Sequence, residues 1–362
     1  MEISVSKVEL VRELTATQGV VERKTTIPIL SNFLFEAAND RLTITATDLD
    51  LSLRTSCPVK VKREGACTIP ARRLYDYVKL LENHWVNIRC GRSNTKMVGM
   101  ARANFPGLPA FPSAGLVKIP SQTLRSMIGK TIFAISNEES RYTLNGGLMV
   151  LKPESITMVA TDGHRLAHVE KQGEQFDVAG ENKTLVPKKA MSELYLLLQN
   201  SDVDFIDFAK DESTLFFRIG ERLLTSRQLT GQFPNYEAVL PRDPGKAVTV
   251  RGADLNTAIQ RVAQFADERS RAIRLKLDKN EIKISSSSTE AGESEDSIET
   301  SYTADPMTIG FNSEYLLDFL KASNGGEVRL EFKDAQSAGQ MRPEDSGDDG
   351  FRYRYVVMPM RI

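Results

Sequence analysis

Leu42-Thr43-Ile44-Thr45-Ala46-Thr47-Asp48 returns in outline as Ile156-Thr157-Met158-Val159-Ala160-Thr161-Asp162, 114 positions further along the chain. Leu42, Ile44 and Ala46 stand at every second position, as do Ile156, Met158 and Ala160, the pattern of a strand with one buried face. Both stretches then run into Ala-Thr-Asp. Ile282 and Ile284 hold the matching place in a third stretch.

Working outward from these strands, the flanking elements repeat as well. Ser6 with Glu9 three residues later is a capping-box pattern, and Leu10, Val11 and Leu14 share a helical face. A second such helix begins at Ser121, with Leu124, Met127 and Ile128. A third follows Arg251, with Leu255, Ile259 and Val262. Short β-like stretches precede all three, at Ile3–Val5, Val117–Ile119 and Val248–Val250. Downstream, another helix is expected after Pro70 (Leu74, Val78, Leu81), after Pro187 (Met191, Tyr195, Leu198) and after Asn312 (Tyr315, Phe319). Each copy closes on a proline in an apolar setting: Phe105-Pro106, Phe233-Pro234 and Met358-Pro359, spaced by 128 and 125.

Five elements in one order, three times over, predict a domain present in three copies. The period is far longer than a solenoid unit of about 20–50 residues. The expected domains are 1–116, 117–245 and 246–362. Two helices against many short strands give an α+β class, with helices packed on one face of antiparallel sheet.

Composition narrows the function. The chain has 362 residues and a formal net charge of −1, so no overall basic excess points to nucleic acid. No apolar run approaches the ~20 residues of a membrane span. Met1-Glu2-Ile3-Ser4 lacks the pattern of a signal peptide. Cys57, Cys67 and Cys90 are too few and too irregular for a disulfide framework or a zinc cage. A cytoplasmic protein is expected.

Catalytic patterns fail in turn. The sequence has neither a Gly-x-x-x-x-Gly-Lys-Ser/Thr phosphate loop nor a Gly-x-Ser-x-Gly elbow. His164 and His168 have metalloprotease spacing, but Arg165 stands where a glutamate base is needed. Asp345-Ser346-Gly347-Asp348-Asp349-Gly350 resembles a calcium loop, yet Gly347 and Val356 occupy ligand positions. It reads as an acidic hairpin loop. A dyad of Asp162 and His164 is the one enzymatic rival. No metal or cofactor is expected.

Three stretches carry a family resemblance. Lys24-Thr25-Thr26-Ile27-Pro28-Ile29-Leu30-Ser31-Asn32 resembles the first-domain signature of the bacterial sliding clamps, the β subunits of replicative DNA polymerases. Ala160-Thr161-Asp162-Gly163-His164-Arg165-Leu166-Ala167 is similar to their second-domain signature, and Tyr355-Val356-Val357-Met358-Pro359-Met360-Arg361-Ile362 to their C-terminal tail. Leu144-Asn145-Gly146, Val186-Pro187-Lys188-Lys189 and Phe233-Pro234-Asn235-Tyr236 fall between them in the family's order.

The resemblance implies a non-catalytic homodimer, closed head to tail into a ring of six domains around double-stranded DNA. It implies DNA contacts at Arg23, Lys24, Arg73, Arg141, Lys188 and Lys189. Glu138 departs from the neutral residue that some members carry near Arg141. Further cations are scattered over the expected helices (Lys7, Arg12, Arg72, Lys79, Arg125, Lys130, Arg261, Lys321), which suits sliding better than tight phosphate contacts.

A pocket for short linear motifs of the polymerase catalytic subunit, the clamp loader and repair proteins is also implied. Its wall would be Leu144, Thr161, Gly163, His164, Arg165, Leu166, Pro234, Val239, Asn312, Tyr315, Met358, Pro359, Met360 and Arg361. Arg165 and Arg361 are expected to hold a peptide carbonyl or carboxylate. The implied dimer interface sets Arg72, Arg73, Phe105 and Leu108 against Phe265 and the acidic segment 293–299 of a second copy.

Overall fold

A computed structural model describes residues 1–362 apart from 23–24, 83, 90–96, 242–244, 324, 346–349 and 362. Among the described residues there are six α-helices, and each continues directly from a strand. They are α1 (Lys7–Thr17), α2 (Ala71–Leu80), α3 (Ser121–Thr131), α4 (Lys188–Gln199), α5 (Gly252–Val262) and α6 (Ser313–Ala322).

This continuity changes how the helices are capped. Ser6 does occupy the N-cap of α1, but its side chain makes no capping hydrogen bond. Instead the Lys7 amide donates to the His84 carbonyl at 2.8 Å. Ser121 N donates to Asp204 O, Lys188 N to Asn145 O, Gly252 N to Gly326 O and Ser313 N to Arg271 O, all at 2.8–2.9 Å. A neighbouring segment thus satisfies a helix-start amide that a cap side chain would otherwise take. Only α6 adds a side-chain cap among those whose caps are described, with Asn312 Oδ1 accepting from Glu314 N at 2.9 Å.

The expected apolar faces of α1, α3 and α5 are buried at Leu10, Leu14, Leu124, Met127, Ile128, Leu255, Ile259 and Val262. In α4 the core face is Met191, Leu194, Leu197 and Leu198, while Tyr195 is only half-buried.

The chain forms two compact units, Met1–Arg125 with Lys189–Leu229, and Ser126–Lys188 with Thr230–Ile362. The middle repeat contributes to both. In the first unit, strands Gly65–Pro70, Asn32–Ala38, Arg41–Thr47 and Leu51–Pro58 continue into Arg222–Arg227, Thr214–Ile219, Phe205–Lys210 and Val117–Pro120 as one eight-stranded antiparallel sheet. The join pairs Leu51–Arg54 with Leu223–Ser226. A three-stranded sheet orders Lys60–Arg63, Glu2–Ser6 and Trp85–Arg89.

The second unit repeats the design. Asn182–Pro187, Gly146–Lys152, Ser155–Thr161 and Arg165–Gln172 continue into Phe351–Val357, Gly339–Pro343, Glu327–Phe332 and Lys246–Arg251. Its join pairs Arg165–Lys171 with Phe351–Val357. A four-stranded sheet orders Gly292–Glu299, Glu281–Ser288, Ala272–Asp278 and Met307–Asn312.

One expectation needs correction. A single buried face is too little for Ser155–Thr161, where all but the first residue are buried. Val159 pairs with His168, and the His168 ring lies 5.7 Å from that of Tyr236. The loop after Pro234 therefore covers the side of the sheet that alternation left to solvent.

In the first unit a buried carboxylate fastens α1 to the sheet. Glu13 Oε1 accepts from Arg222 Nη2 at 3.0 Å and Arg12 Nε at 2.8 Å. Its Oε2 accepts from Arg222 Nε at 3.0 Å and from the Thr55 hydroxyl. Burial alone pushes this carboxyl's pKa up, but the bonds from Arg222, Thr55 and Arg12 outweigh it and hold it below its ordinary 4.5. A depressed carboxyl stabilises the fold above its ordinary value and loses that contribution as pH falls. Glu13→Gln leaves Arg222 nearly buried without its counter-charge, so urea unfolding at neutral pH should show a loss of about 3 kcal/mol. The same titration repeated below pH 4.5 should show the gap to the unmodified chain narrowing.

Candidate functional site

Most of the pocket wall expected from sequence lies in the second unit around one turn. Asp162 Oδ1 accepts from the amides of His164 at 2.9 Å and Arg165 at 3.0 Å. Thr161 Oγ1 accepts from Gly163 N at 3.1 Å and donates to Arg165 O at 2.6 Å. The turn needs glycine at its centre: Gly163 has φ +89°, and a Cβ there would lie 2.7 Å from Arg141 Nη1.

Arg165 begins the junction strand, and its guanidinium is turned inward. Nε donates to Asp162 Oδ2 at 3.1 Å, Nη2 to the Phe133 carbonyl at 2.7 Å, and Nη1 to Asp318 Oδ2. The group stacks over the Tyr315 ring, 4.4 Å from its centroid. Burial opposes the charge, but Tyr355 and Asp318 outweigh it and raise the pKa. With all three nitrogens engaged, Arg165 shapes the wall by fixing Tyr315. A guanidinium held this way is not the free carboxylate grip that sequence suggested. Asp318, which completes the arrangement from α6, carried no local signal.

The tail meets this turn through its backbone. Met358 N donates to His164 O and Met360 N to Gly310 O, both at 2.8 Å. Val356 and Val357 are buried, whereas the Met358 side chain is 45% exposed, as is that of Val239. Pro359 and Met360 are half-buried and Arg361 is exposed. The turn, α6 and the tail thus assemble Thr161, Gly163, His164, Leu166, Asn312, Tyr315, Met358 and Met360 into one region with an apolar, partly exposed surface. Leu144 is half-buried, in the 3-10 turn Tyr142–Leu144, and Pro234 is exposed.

Asp162, offered by the sequence as a dyad partner of His164, accepts through Oδ1 from the turn amides and through Oδ2 from Arg165. His164 and His168 are separated by extended chain, roughly 13 Å at ~3.3 Å per residue. His168 is buried, which lowers its pKa to about 4. Among the described residues no group of three His, Cys, Asp or Glu is placed to hold a metal ion.

The expected DNA contacts are distributed. Arg23 and Lys24 lie outside the described residues. In the first unit Arg73 is exposed on α2, and Lys189 on α4 pairs with Asp48. In the second unit Lys188 donates to Asn137 Oδ1 at 2.7 Å and to Ile135 O at 3.2 Å. Arg141 is held by Glu138 at 2.8 Å and by the Asp162 carbonyl at 2.6 Å. Lys7, expected among the free cations, caps α2 by donating to the carbonyls of Lys79 and Leu81. For the implied interface, Arg72 and Arg73 are exposed, Leu108 and Phe265 are half-buried, and Phe105 is buried against Ile29, Leu30 and Leu34.

No helix among the described residues is long and apolar enough to cross a membrane. Comparison with known proteins accounts for nearly the whole chain. Residues 1–114, 118–235 and 237–361 match the N-terminal, central and C-terminal domains of the DNA polymerase III beta subunit. The chain is 35% identical to the beta sliding clamp of Caulobacter vibrioides over 378 residues and 32% identical to that of Pseudomonas aeruginosa over 373, with 100% of each chain covered. The crystal structure of the DNA polymerase III subunit beta from Pseudomonas aeruginosa superposes with a TM-score of 0.92 at 33% identity, again covering 100% of both chains. A sliding clamp from the same organism bound to griselimycin gives 0.91 at 32% identity, with the same coverage. Three repeats of one topology, a junction sheet between consecutive repeats and an apolar tail beside the second-repeat turn are therefore the features of a DNA sliding clamp for polymerase processivity, and this chain belongs to the DNA polymerase III beta-subunit family.

Proposed function

We propose that two copies of this chain close head to tail into a ring around duplex DNA, with domains 1–116, 117–245 and 246–362 in each. The reading is carried by the edges of the sheets. Leu51–Pro58 of the first repeat and Arg165–Gln172 of the second are both joined to a strand of the following repeat. Their counterpart in the third repeat is Gly292–Glu299, the edge strand of the four-stranded sheet. Among the described residues it pairs on one side only, with Glu281–Ser288. The sheet built on Glu2–Ser6 is likewise the counterpart of the halves that receive such a join, and among the described residues its three strands pair only with one another. An open edge leaves main-chain groups unpaired and is a template for another chain. Pairing the two loose ends in trans makes a heterologous contact that closes after two copies. Glu293, Glu295 and Glu299 give the third-repeat edge an acidic face to set against Arg72 and Arg73.

The ring acts in the cytoplasm and has no catalytic step. Retention is topological, by encirclement, and helix cations that include Arg73, Lys188 and Lys189 make only weak, exchanging contacts with the duplex. The polymerase catalytic subunit, the clamp loader and repair proteins dock short motifs on the surface beside Gly163 and Met358. Two methionines suit a surface that accepts several ligands.

Light scattering at micromolar concentration should give a dimer. Phe265→Arg should shift it toward monomer, because burying such a side chain contributes about 1.5–3 kcal/mol. Loaded on a closed DNA circle, the protein should survive moderate salt and dissociate once the circle is cut. Equal lifetimes on circular and linear DNA would reject encirclement.

For the pocket, titration calorimetry with a peptide containing leucine and phenylalanine should show Met360→Ala weakening binding by about 1–3 kcal/mol. Deleting 358–362 should abolish binding and lower the melting temperature slightly, since the Met358 and Met360 amide bonds go with it. Full binding by the truncated chain would move the pocket elsewhere.

A further inference from the structure

The Ala-Thr-Asp turn is built twice in this chain, and the two copies hold different cations. In the first repeat Asp48 Oδ1 accepts from Asp50 N at 3.0 Å and Leu51 N at 2.6 Å. Thr47 Oγ1 accepts from Leu49 N at 3.0 Å and donates to Leu51 O at 3.1 Å. Leu49 has φ +85°, where the second copy has Gly163 at +89°. In both turns one aspartate oxygen fixes the backbone and the other faces a basic side chain. For Asp162 that partner is Arg165, 11% exposed and bonded at each of its nitrogens. For Asp48 it is Lys189, in the first turn of α4, whose side chain is 46% exposed although that of Asp48 is only 10% exposed.

The asymmetry has a consequence. Asp48 is pinned by its turn and cannot follow, whereas the Lys189 stem is flexible and its ammonium reaches solvent. Its oxygens are held where a DNA phosphate would compete for the same ammonium. We propose that Asp48 is an intramolecular surrogate phosphate that holds Lys189 and yields it only in exchange for a phosphate of the duplex. This rests on the reading of Lys189 as a DNA contact. The exchange replaces one ion pair by another, so each encounter gains little net affinity and a DNA-bound ring moves without being trapped.

Full-length protein should be titrated with a short linear duplex by fluorescence anisotropy, over a series of salt concentrations, for the unmodified chain, Asp48→Asn, Lys189→Gln and the double variant. Asparagine keeps the turn's carbonyl acceptor, and a thermal melt of each variant checks folding. Asp48→Asn should tighten binding roughly two- to fivefold at low salt, the scale of one exposed ion pair. The salt slope should steepen by about 0.9, the share of one phosphate contact. The double variant should bind like Lys189→Gln alone. If Asp48→Asn binds like the unmodified chain while Lys189→Gln weakens binding, Lys189 touches DNA unrestrained and the surrogate is rejected. If Asp48→Asn tightens binding equally with and without Lys189, the effect is simple loss of a negative charge. If Lys189→Gln changes nothing in either background, the DNA contact itself is wrong.

Discussion

Main-chain pairing between one repeat and the next is the interaction on which the rest of the molecule depends. Each repeat carries two half-sheets with an edge, and burying an unpaired edge would cost several backbone hydrogen bonds. The antiparallel joins, Leu51–Arg54 with Leu223–Ser226 and Arg165–Lys171 with Phe351–Val357, remove two such edges. Register matters because a slip by one residue turns every side chain to the opposite face. With Arg165 opposite Val357, the strand ends where Met358 can bond the carbonyl of His164. The junction thus delivers the tail to the turn, and the candidate pocket is a by-product of sheet continuity.

A second constraint is electrostatic. The arginines nearest the core are spent on the fold: Arg222 on Glu13, Arg165 on Asp162, Asp318 and the Phe133 carbonyl. Their planar, multi-donor heads satisfy several buried acceptors at once, which an ammonium cannot do. Arg261 pairs with Asp296 at 3.3 Å while remaining 70% exposed, and Lys189 keeps a mobile stem beside Asp48. The near-zero net charge of this sliding clamp goes together with such matching of surface cations and nearby carboxylates.

Sequence by itself determined the triplication, the α+β class, the strand-then-helix order and the absence of catalytic and metal motifs. It could do so because these depend on short-range periodicity: alternation in Leu42–Ala46, and 3.6-residue spacing at Leu124, Met127 and Ile128. Contacts between distant segments were decided only by the tertiary structure. Ser6 looked like a side-chain cap until the His84 carbonyl, brought in by strand pairing, took the first amide of α1. Arg165 looked free to grip a ligand until Asp318, 153 positions away, and the Phe133 carbonyl claimed it. Lys7 looked like one more scattered helix cation for the same reason, until the carbonyls of Lys79 and Leu81 took it. A charged side chain's role is set by which oppositely polarised group the fold places within about 3 Å, and no local pattern in the chain encodes that distance.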